Sequence, residues 1–476
     1  VPTTNELRPL PDSVIVVLYG ATGDLAGRMV LPALAEVHER DLTPANWRLV
    51  GCARDDLDDE GFRRRFEESV SRSRGSLPDD WSTVRERARY AKGFSEDDPG
   101  TLPQLLQELR GELAGSGSEP LVLHFLAVPP AAFGPITRGL GAHGLAEGAR
   151  VVYEKPYGTS LQSFEELDAL VKEVLDEEQV FRIDHFLGKE AVQSIYAIRF
   201  ANQLFGSEWS KESVEQVQID VPEDLDVANR AAFYEATGAA LDMLVTHLFQ
   251  VAGQVAMDPP ADLRDPDSVL DAREEVLKSF RPLDPARDVV LGQFDGYTSI
   301  DGVPANSVQD TFVAARLWVD TDRWRGVPFL LRTGKRMARK DQRITLVLRP
   351  PEGPLMDELH EPNTIEIGFA GDGEVILGIT VKTPGPDLTF SSGRARLDLD
   401  DVPGGEPLSA YASLIQDALV GDRSLFTTAE GLRAAFTAFA PLQGPDRPTP
   451  VPYAPGSWGP QEARRLAEPR RWMLGE

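Results

Sequence analysis

The sequence predicts two fold classes in one chain: an N-terminal α/β domain with a doubly wound parallel sheet, then a larger α+β domain with a mainly antiparallel sheet and packed helices. Three observations carry that expectation. Apolar strand runs alternate with helical patterns through about residue 180. The first of those strands runs straight into a glycine-rich turn that opens a helix. Farther on, strands follow one another without helices between them. At 476 residues the chain also exceeds the size at which a single core usually stops growing.

The elements justify this in order. VIVVLY at 14–19 reads as a buried strand, GATGDLAGR turns into a helix carrying Leu31, Leu34, Ala35 and His38, and RLVGCAR is a second strand, completing a βαβ unit. A helix over 59–73, the apolar run LVLHFLAV, a helix near 131–143, the strand RVVYEKP, a helix over 163–175 and the short strand VFRID continue the alternation. The pattern then changes to two long helical stretches, 190–205 and 238–256, and to the strands DTFVAARLWVD, ITLVLRP, NTIEIGF and EVILGITVK. The acidic, Pro-rich stretch at 258–276 reads as a surface connection into a short helix, and helical segments near 408–420 and 429–438 precede a Pro/Gly-rich tail. The expected division is 1–183 for a dinucleotide-binding domain of Rossmann type and 184–476 for a β+α domain.

Composition narrows the function. A formal charge of −27 repels nucleic acid and anionic lipid, and no compact Lys/Arg stripe interrupts it, so neither nucleic acid nor membrane is an expected partner. No apolar run approaches the roughly 20 residues of a membrane span. The start, VPTTNELRPLPDS, lacks a basic region followed by an apolar core, so no signal peptide is expected. The single cysteine, Cys52, excludes an internal disulfide and a multi-cysteine zinc cluster, and the cytoplasm is the expected compartment. The same negative charge would repel a sugar phosphate or a dinucleotide. A site for either therefore needs a local cluster of basic groups or a helix N-terminus.

GATGDLA supplies such a place. Gly20 and Gly23 let the backbone approach a pyrophosphate seated on the helix N-terminus, although the spacing departs from GxGxxG and a tight βα loop alone would use the same residues. At the end of the next strand an acidic residue would hold the ribose of NAD, whereas an arginine holds the 2′-phosphate of NADP. Here it is Arg54, followed by Asp55 and Asp56, which leaves a surface arginine paired with its neighbours as the other reading.

Removal of a hydride from an alcohol carbon needs a base of near-neutral pKa, which directs attention to the six histidines. His38, His124, His143 and His360 stand in a helix, a buried strand, a Gly-rich loop and an acidic surface stretch. His185 belongs to RIDHFLGKE, where a strand ends and a helix begins at Lys189, so that an imidazole, an ammonium and a helix N-terminus converge in a way that suits phosphate. Asp184 beside it can orient a second imidazole, or merely cap the helix region while Lys189 is solvated. His247 lies in the apolar helix ALDMLVTHLFQVAG, where a lone histidine is usually a satisfied core residue. Asp242 in the same helix argues for a partner or ligand instead. Lys155 of EKPYG and Lys335 and Lys340 of LRTGKRMARK are candidates for an anion site, or simply solvated lysines at strand ends.

Taken together, these motifs resemble the glucose-6-phosphate dehydrogenase family, from GATGDLA to YAPGSWGP near the C-terminus. RIDHFLGKE is similar to the family's RIDHYLGKE, EKPYG to its EKPFG, and RWRGVPFLLRTGK to the corresponding segment. The resemblance implies an oxidoreductase that takes a hydride from carbon 1 of glucose 6-phosphate to NADP, with NAD as the alternative, in the first step of the pentose phosphate pathway. It implies His247 as the base and Asp184 as its orienting carboxylate. His185 and Lys189 would hold the 6-phosphate with Lys340 near it, and Lys155, Glu223, Asp242 and Lys335 would contact the sugar. Gly20, Thr22, Gly23, Asp24, Leu25 and Arg54, with Lys155, would hold the coenzyme. It implies no metal, and a homodimer or homotetramer assembled through the second domain.

The departures from the family pattern cluster around the sugar. The tyrosine of DHYLGK is Phe186, GRGG is Asn229, Arg230, Ala231 and Ala232, the arginine before the substrate aspartate is Leu241, and the asparagine before the histidine is Thr246. The basic residue of the dinucleotide turn is Gly27. Each lost hydrogen bond to a charged ligand is worth roughly 1.5–3 kcal/mol, enough to raise the Michaelis constant or redirect specificity. A different sugar or amino-sugar phosphate is therefore the first alternative, and a nucleotide-binding homologue without catalysis the second.

Overall fold

The computed structural model describes residues 8–114, 118–206, 208–227, 230–351, 361–371, 373–404 and 407–475; Asn229 and His360 lie outside them. The chain folds as two compact units. One takes in residues up to 188 together with 262–270 and 408–429, and the other 189–261, 271–407 and the residues from 430 onward.

The first unit is built on six parallel strands, β1 (Ser13–Tyr19), β2 (Asn46–Ala53), β3 (Ala88–Lys92), β4 (Leu121–Leu126), β5 (Arg150–Tyr153) and β6 (Val180–Ile183). Crossover helices such as Leu31–Glu39, Asp59–Arg74 and Phe133–Ala142 connect them. Every residue of β1 is buried, which is why VIVVLY shows no polar alternation: a parallel strand with helices on both faces has no wet side. The order across the sheet is β6, β5, β4, β1, β2, β3. Val14 of β1 is flanked by Trp47 on one side and Leu121 on the other. Strand order reverses there, so the crevice at the carboxyl ends of β1 and β4 is the place where such sheets receive a ligand.

Residues 408–429 return to this unit late in the chain. Phe426–Thr427 adds an antiparallel edge beside β6, and the helix Ala410–Val420 packs on Leu31–Glu39. Polar ties fix that return. The Arg150 guanidinium donates to the carbonyls of Ala418 at 2.8 Å and Leu419 at 2.7 Å, satisfying orphan groups at the helix C-terminus, and the Ser409 hydroxyl donates to Glu36 at 2.7 Å.

The second unit holds β7 (Val214–Pro222), β8 (Val289–Phe294), β9 (Phe312–Trp318), β10 (Pro328–Gly334), β11 (Arg343–Leu348), β12 (Thr364–Gly368), β13 (Glu374–Lys382) and β14 (Phe390–Asp398). They form one sheet in the order β14, β13, β12, β11, β7, β10, β9, β8, with Val451–Tyr453 beyond β8. Neighbours are antiparallel except β7 with β10 and β8 with Val451–Tyr453. The expected mainly antiparallel sheet is therefore present. Two expected helices differ from the sequence reading. The stretch 190–205 divides into Glu190–Phe200 and a separate turn, Gln203–Gly206. The stretch 238–256 is not one helix: Ala231–Ala240 breaks at Gly238, Leu241–Leu248 is π-helical, and Phe249–Ala256 is α-helical.

Candidate active site

In the first unit β1 ends at Tyr19 and the chain turns at Gly20, whose φ is 72°. A Cβ there would collide with the carbonyl oxygen of Ala127 just beyond β4, so only glycine fits. The turn closes when the Gly20 amide donates to Cys52 O and the Gly23 amide to Gly20 O, both at 2.8 Å. The Thr22 hydroxyl donates to Asp55 Oδ2 at 2.5 Å, tying the turn to the segment after β2 that presents Arg54 to solvent. Asp24 is exposed and pairs with Arg28 at 3.3 Å, Leu25 begins the helix half-buried, and Gly27 lets that helix approach Ser69.

Beside the turn runs a groove of about 360 Å³, lined by Thr22, Gly23, Asp24 and Gly27 on one side and by Arg64, Arg65 and Arg72 of the helix Asp59–Arg74 on the other. Burial, then the charges of Asp55 and Cys52, push the Tyr90 phenol up to about 12, with the Arg65 charge a smaller opposing influence. The Tyr90 hydroxyl in turn donates to the carbonyls of Ala53 at 3.2 Å and Asp55 at 2.8 Å, on either side of Arg54. Two glycines without side chains and a row of guanidiniums give phosphates both room and charge, so the residues present fit a dinucleotide. The helix arginines escaped the sequence reading. Their signal was there: Arg65 and Arg72 recur at helical spacing on the face that also carries Gly61.

Two further segments of this unit meet at the ends of β5 and β6. Glu154, only 4% exposed, precedes Lys155, and burial pushes its carboxyl up to about 7 while hydrogen bonds from Tyr411 and the Lys155 amide and the Lys155 charge pull it back. Tyr411 comes from the returning helix and stacks on His185, with ring centroids 6.4 Å apart and planes at 22°. Asp184 is buried and its Oδ1 accepts from the Phe186 amide at 2.9 Å, an Asx turn that shapes the DHF loop. Phe186 is buried with its edge toward His185, so this departure places a hydrocarbon ring in the core.

In the second unit Glu223 follows β7 and Lys335 follows β10, and because those strands are parallel neighbours the two side chains meet: Lys335 Nζ lies 2.6 Å from Glu223 Oε2. Lys335 Nζ also lies 5.6 Å from the ring centroid of Tyr234. Tyr234 is buried, and burial, then the charges of Asp242 and Glu223, hold its phenol well above the usual range. The sequence reading missed Tyr234, since an aromatic in an apolar helix carries no signal of its own. A π-helix bonds residue i to i+5, so residues five apart lie on one face. That places Asp242 and His247 on the same side of Leu241–Leu248, where an α-helix would splay them, and His247 is 1% exposed.

Lys189 stands at the N-cap position of the helix Glu190–Phe200; its ammonium donates to Phe369 O at 3.2 Å and to the Gln342 side chain. Lys340, two residues before that glutamine, is exposed. The departures are absorbed locally. Leu241 is buried, the Thr246 hydroxyl donates to its own helix at Asp242 O, 2.8 Å away, Arg230 lies over Phe233 at 4.4 Å, and Ala231 is buried. Among the described residues, His38, His124 and His143 are structural. His124 Nε2 donates to Leu145 O at 3.1 Å and Nδ1 faces the Tyr19 hydroxyl at 3.1 Å, burial lowering the imidazole to about 4. His38 bonds Thr43 and Asp80, and His143 bonds the Glu96 carbonyl.

Comparison with known proteins extends this picture over the chain. Residues 17–194 match the family model "Glucose-6-phosphate dehydrogenase, NAD binding domain", and residues 196–473 match "Glucose-6-phosphate dehydrogenase, C-terminal domain". Glucose-6-phosphate 1-dehydrogenase 1 of Mycobacterium tuberculosis is 35% identical over 96% of both chains. Glucose-6-phosphate 1-dehydrogenase of Mycolicibacterium smegmatis is 36% identical, covering 96% of this chain and 97% of its own. Among solved structures, glucose-6-phosphate 1-dehydrogenase from Mycobacterium avium superposes with a TM-score of 0.86 at 31% identity, covering 98% of this chain and 99% of the other. A glucose-6-phosphate dehydrogenase in complex with its substrate glucose 6-phosphate gives 0.89 at 28% identity over 100% of both chains.

Proposed function

The chain belongs to the glucose-6-phosphate dehydrogenase family, and from that premise we propose that it oxidises glucose 6-phosphate at carbon 1 to the lactone with NADP as coenzyme. The observation that carries this reading is the arrangement in the second unit: a lysine–carboxylate pair and Asp242 around buried Tyr234, with His247 on the same π-helical face as Asp242.

His247 takes the proton of the carbon 1 hydroxyl, with Asp184 as the supporting carboxylate. Glu223, Asp242, Lys335 and Lys155 orient the sugar hydroxyls. His185, Lys189 and Lys340 neutralise the 6-phosphate, which so acidic a protein must do locally. Gly20, Thr22, Gly23, Asp24 and Leu25 hold the coenzyme, Arg54 reads the 2′-phosphate, and Lys155 completes that set. When bound, NADP supplies the hydride acceptor, and NAD is the weaker alternative. Residues 1–183 serve the coenzyme; 184–476 serve the sugar and carry assembly into a homodimer or homotetramer, for which the exposed Ile379, Val381 and Leu397 on β13 and β14 supply apolar surface. No helix among the described residues is long and apolar enough to cross a membrane, and the cytoplasm is the proposed compartment.

A second reading has an observation of its own. Phe186 and Leu241 are buried apolar side chains at positions where the family has a hydroxyl and a guanidinium, which favours a related sugar phosphate or amino-sugar phosphate as substrate. Initial rates over a panel of sugar phosphates decide between them. The proposal expects the highest kcat/KM for glucose 6-phosphate; a higher value for another sugar phosphate would transfer the activity to that substrate.

A further inference from the structure

The helix Ala231–Ala240 breaks at Gly238, with φ 63° and ψ 178°. A Cβ at Gly238 would lie 2.5 Å from Asp310 Oδ1. A chain that restarts a helix after such a break presents unsatisfied amides, and here one residue from outside the helix meets them. Ala240 N donates to Asp310 Oδ2 at 2.7 Å and Ala239 N to the Asp310 carbonyl at 3.0 Å. Asp310 is 1% exposed; burial raises its carboxyl, and Arg447, ion-paired to Oδ1, opposes that rise.

Both sides of the segment are fixed. Before the break, Glu235 accepts from the Tyr297 hydroxyl at 2.6 Å and from Ser307 Oγ at 2.7 Å. After it, the indoles of Trp209 and Trp324 donate to the carbonyls of Val255 at 2.8 Å and Ala256 at 2.7 Å. The peptide after Asp310 is tied to the sugar-side lysine, since the Lys335 amide donates to Thr311 O at 2.9 Å. LDMLVTHL holds neither proline nor glycine, and its π-helical turns lie between these fixed ends.

We propose that Asp310, held by Arg447, is a positioning residue that sets the π-helical register of Leu241–Leu248 and thereby the placement of His247 on the face of Asp242. The inference rests on the proposed role of His247. The test compares Asp310→Ala, which removes the acceptor facing Ala240, with Asp310→Asn, which keeps an oxygen there, by steady-state kinetics and by hydrogen exchange of 239–248. Asp310→Ala is expected to lower kcat about ten- to a hundredfold with the KM for coenzyme unchanged, and to speed exchange in 239–248 but not in β1. Asp310→Asn recovers most of both, and Arg447→Met shows a smaller loss of the same kind. A kcat within twofold of wild type in Asp310→Ala, unaltered exchange in 239–248, or a loss that asparagine does not lessen would overturn the inference. A wild-type protein inactive on glucose 6-phosphate would overturn the functional reading alone, and the exchange of 239–248 would still decide the role of Asp310.

Discussion

The turn after β1 and the segment before His247 both bend at a glycine, Gly20 with φ 72° and Gly238 with φ 63°, yet they are held by different means. Gly20 lies in a motif whose residues determine one another: strand, glycine, glycine, helix, with the Ala127 carbonyl beside it excluding any side chain. Gly238 sits in a stretch that reads as a continuous helix, and its break is met by Asp310, held by Arg447, from elsewhere in the chain. The dinucleotide turn is announced by a contiguous sequence motif even though Cys52 and Ala127 help to hold it. The placement of the candidate base is a tertiary product.

The largest effect is expected where that tertiary product is removed outright. His247→Asn should lower turnover by about a hundred- to ten-thousandfold, the range of general-base catalysis, while glucose 6-phosphate binding measured by calorimetry stays largely intact. Near-normal turnover would take the base role away from His247. The corresponding break in the first region is Gly20→Ala. The positive φ and the Ala127 carbonyl should cost about 1–3 kcal/mol, read as a lower melting temperature together with weaker coenzyme binding. Wild-type values for both would mean that the turn tolerates a side chain.

A finer comparison concerns who reads the coenzyme. Arg54→Ala should lower the preference for NADP over NAD about tenfold or more, the worth of a charge-assisted hydrogen bond. An unchanged preference would move the 2′-phosphate to the arginines of the helix Asp59–Arg74, Arg65 first.

The smallest expected effect is on stability against pH. Burial raises Glu154 to about 7, so its contribution is full below about 4.5 and is lost as pH rises to about 7. Burial lowers His124 to about 4, so its contribution is full above about 6.5 and is lost as pH falls toward 4. The two slopes oppose each other between about 4.5 and 6.5. Glu154→Gln should remove its falling contribution, so that stability rises with pH more steeply than in wild type by at most about 1.4 kcal/mol per unit, measurable as melting temperature across that window. A mutant curve identical to wild type would mean that Glu154 does not titrate there.

The same contrast explains what the sequence made legible. The parallel sheet could be read because strands covered on both faces leave unbroken apolar runs such as VIVVLY and LVLHFL. The antiparallel sheet could be read from consecutive strands. The return of Ala410–Val420 to the first unit could not, because it hangs on Arg150 and on Ser409 with Glu36, pairs that no local pattern announces. Among the candidate residues, the glycine turn and Lys335 lie in motifs at strand ends, where spacing is informative, whereas Glu223, its partner, came only from the family resemblance. Tyr234, Tyr411 and Asp310 act through contacts that only the folded chain creates, and Arg64, Arg65 and Arg72 were hidden in a run that reads equally well as a solvated helix face.

The most direct measurement is the rate of coenzyme reduction with glucose 6-phosphate, taken with NADP and with NAD under otherwise identical conditions. Saturable reduction, faster per unit KM with NADP, is the predicted result. No reduction with either coenzyme at millimolar sugar phosphate would contradict the proposed function and place the cause at Phe186 and Leu241.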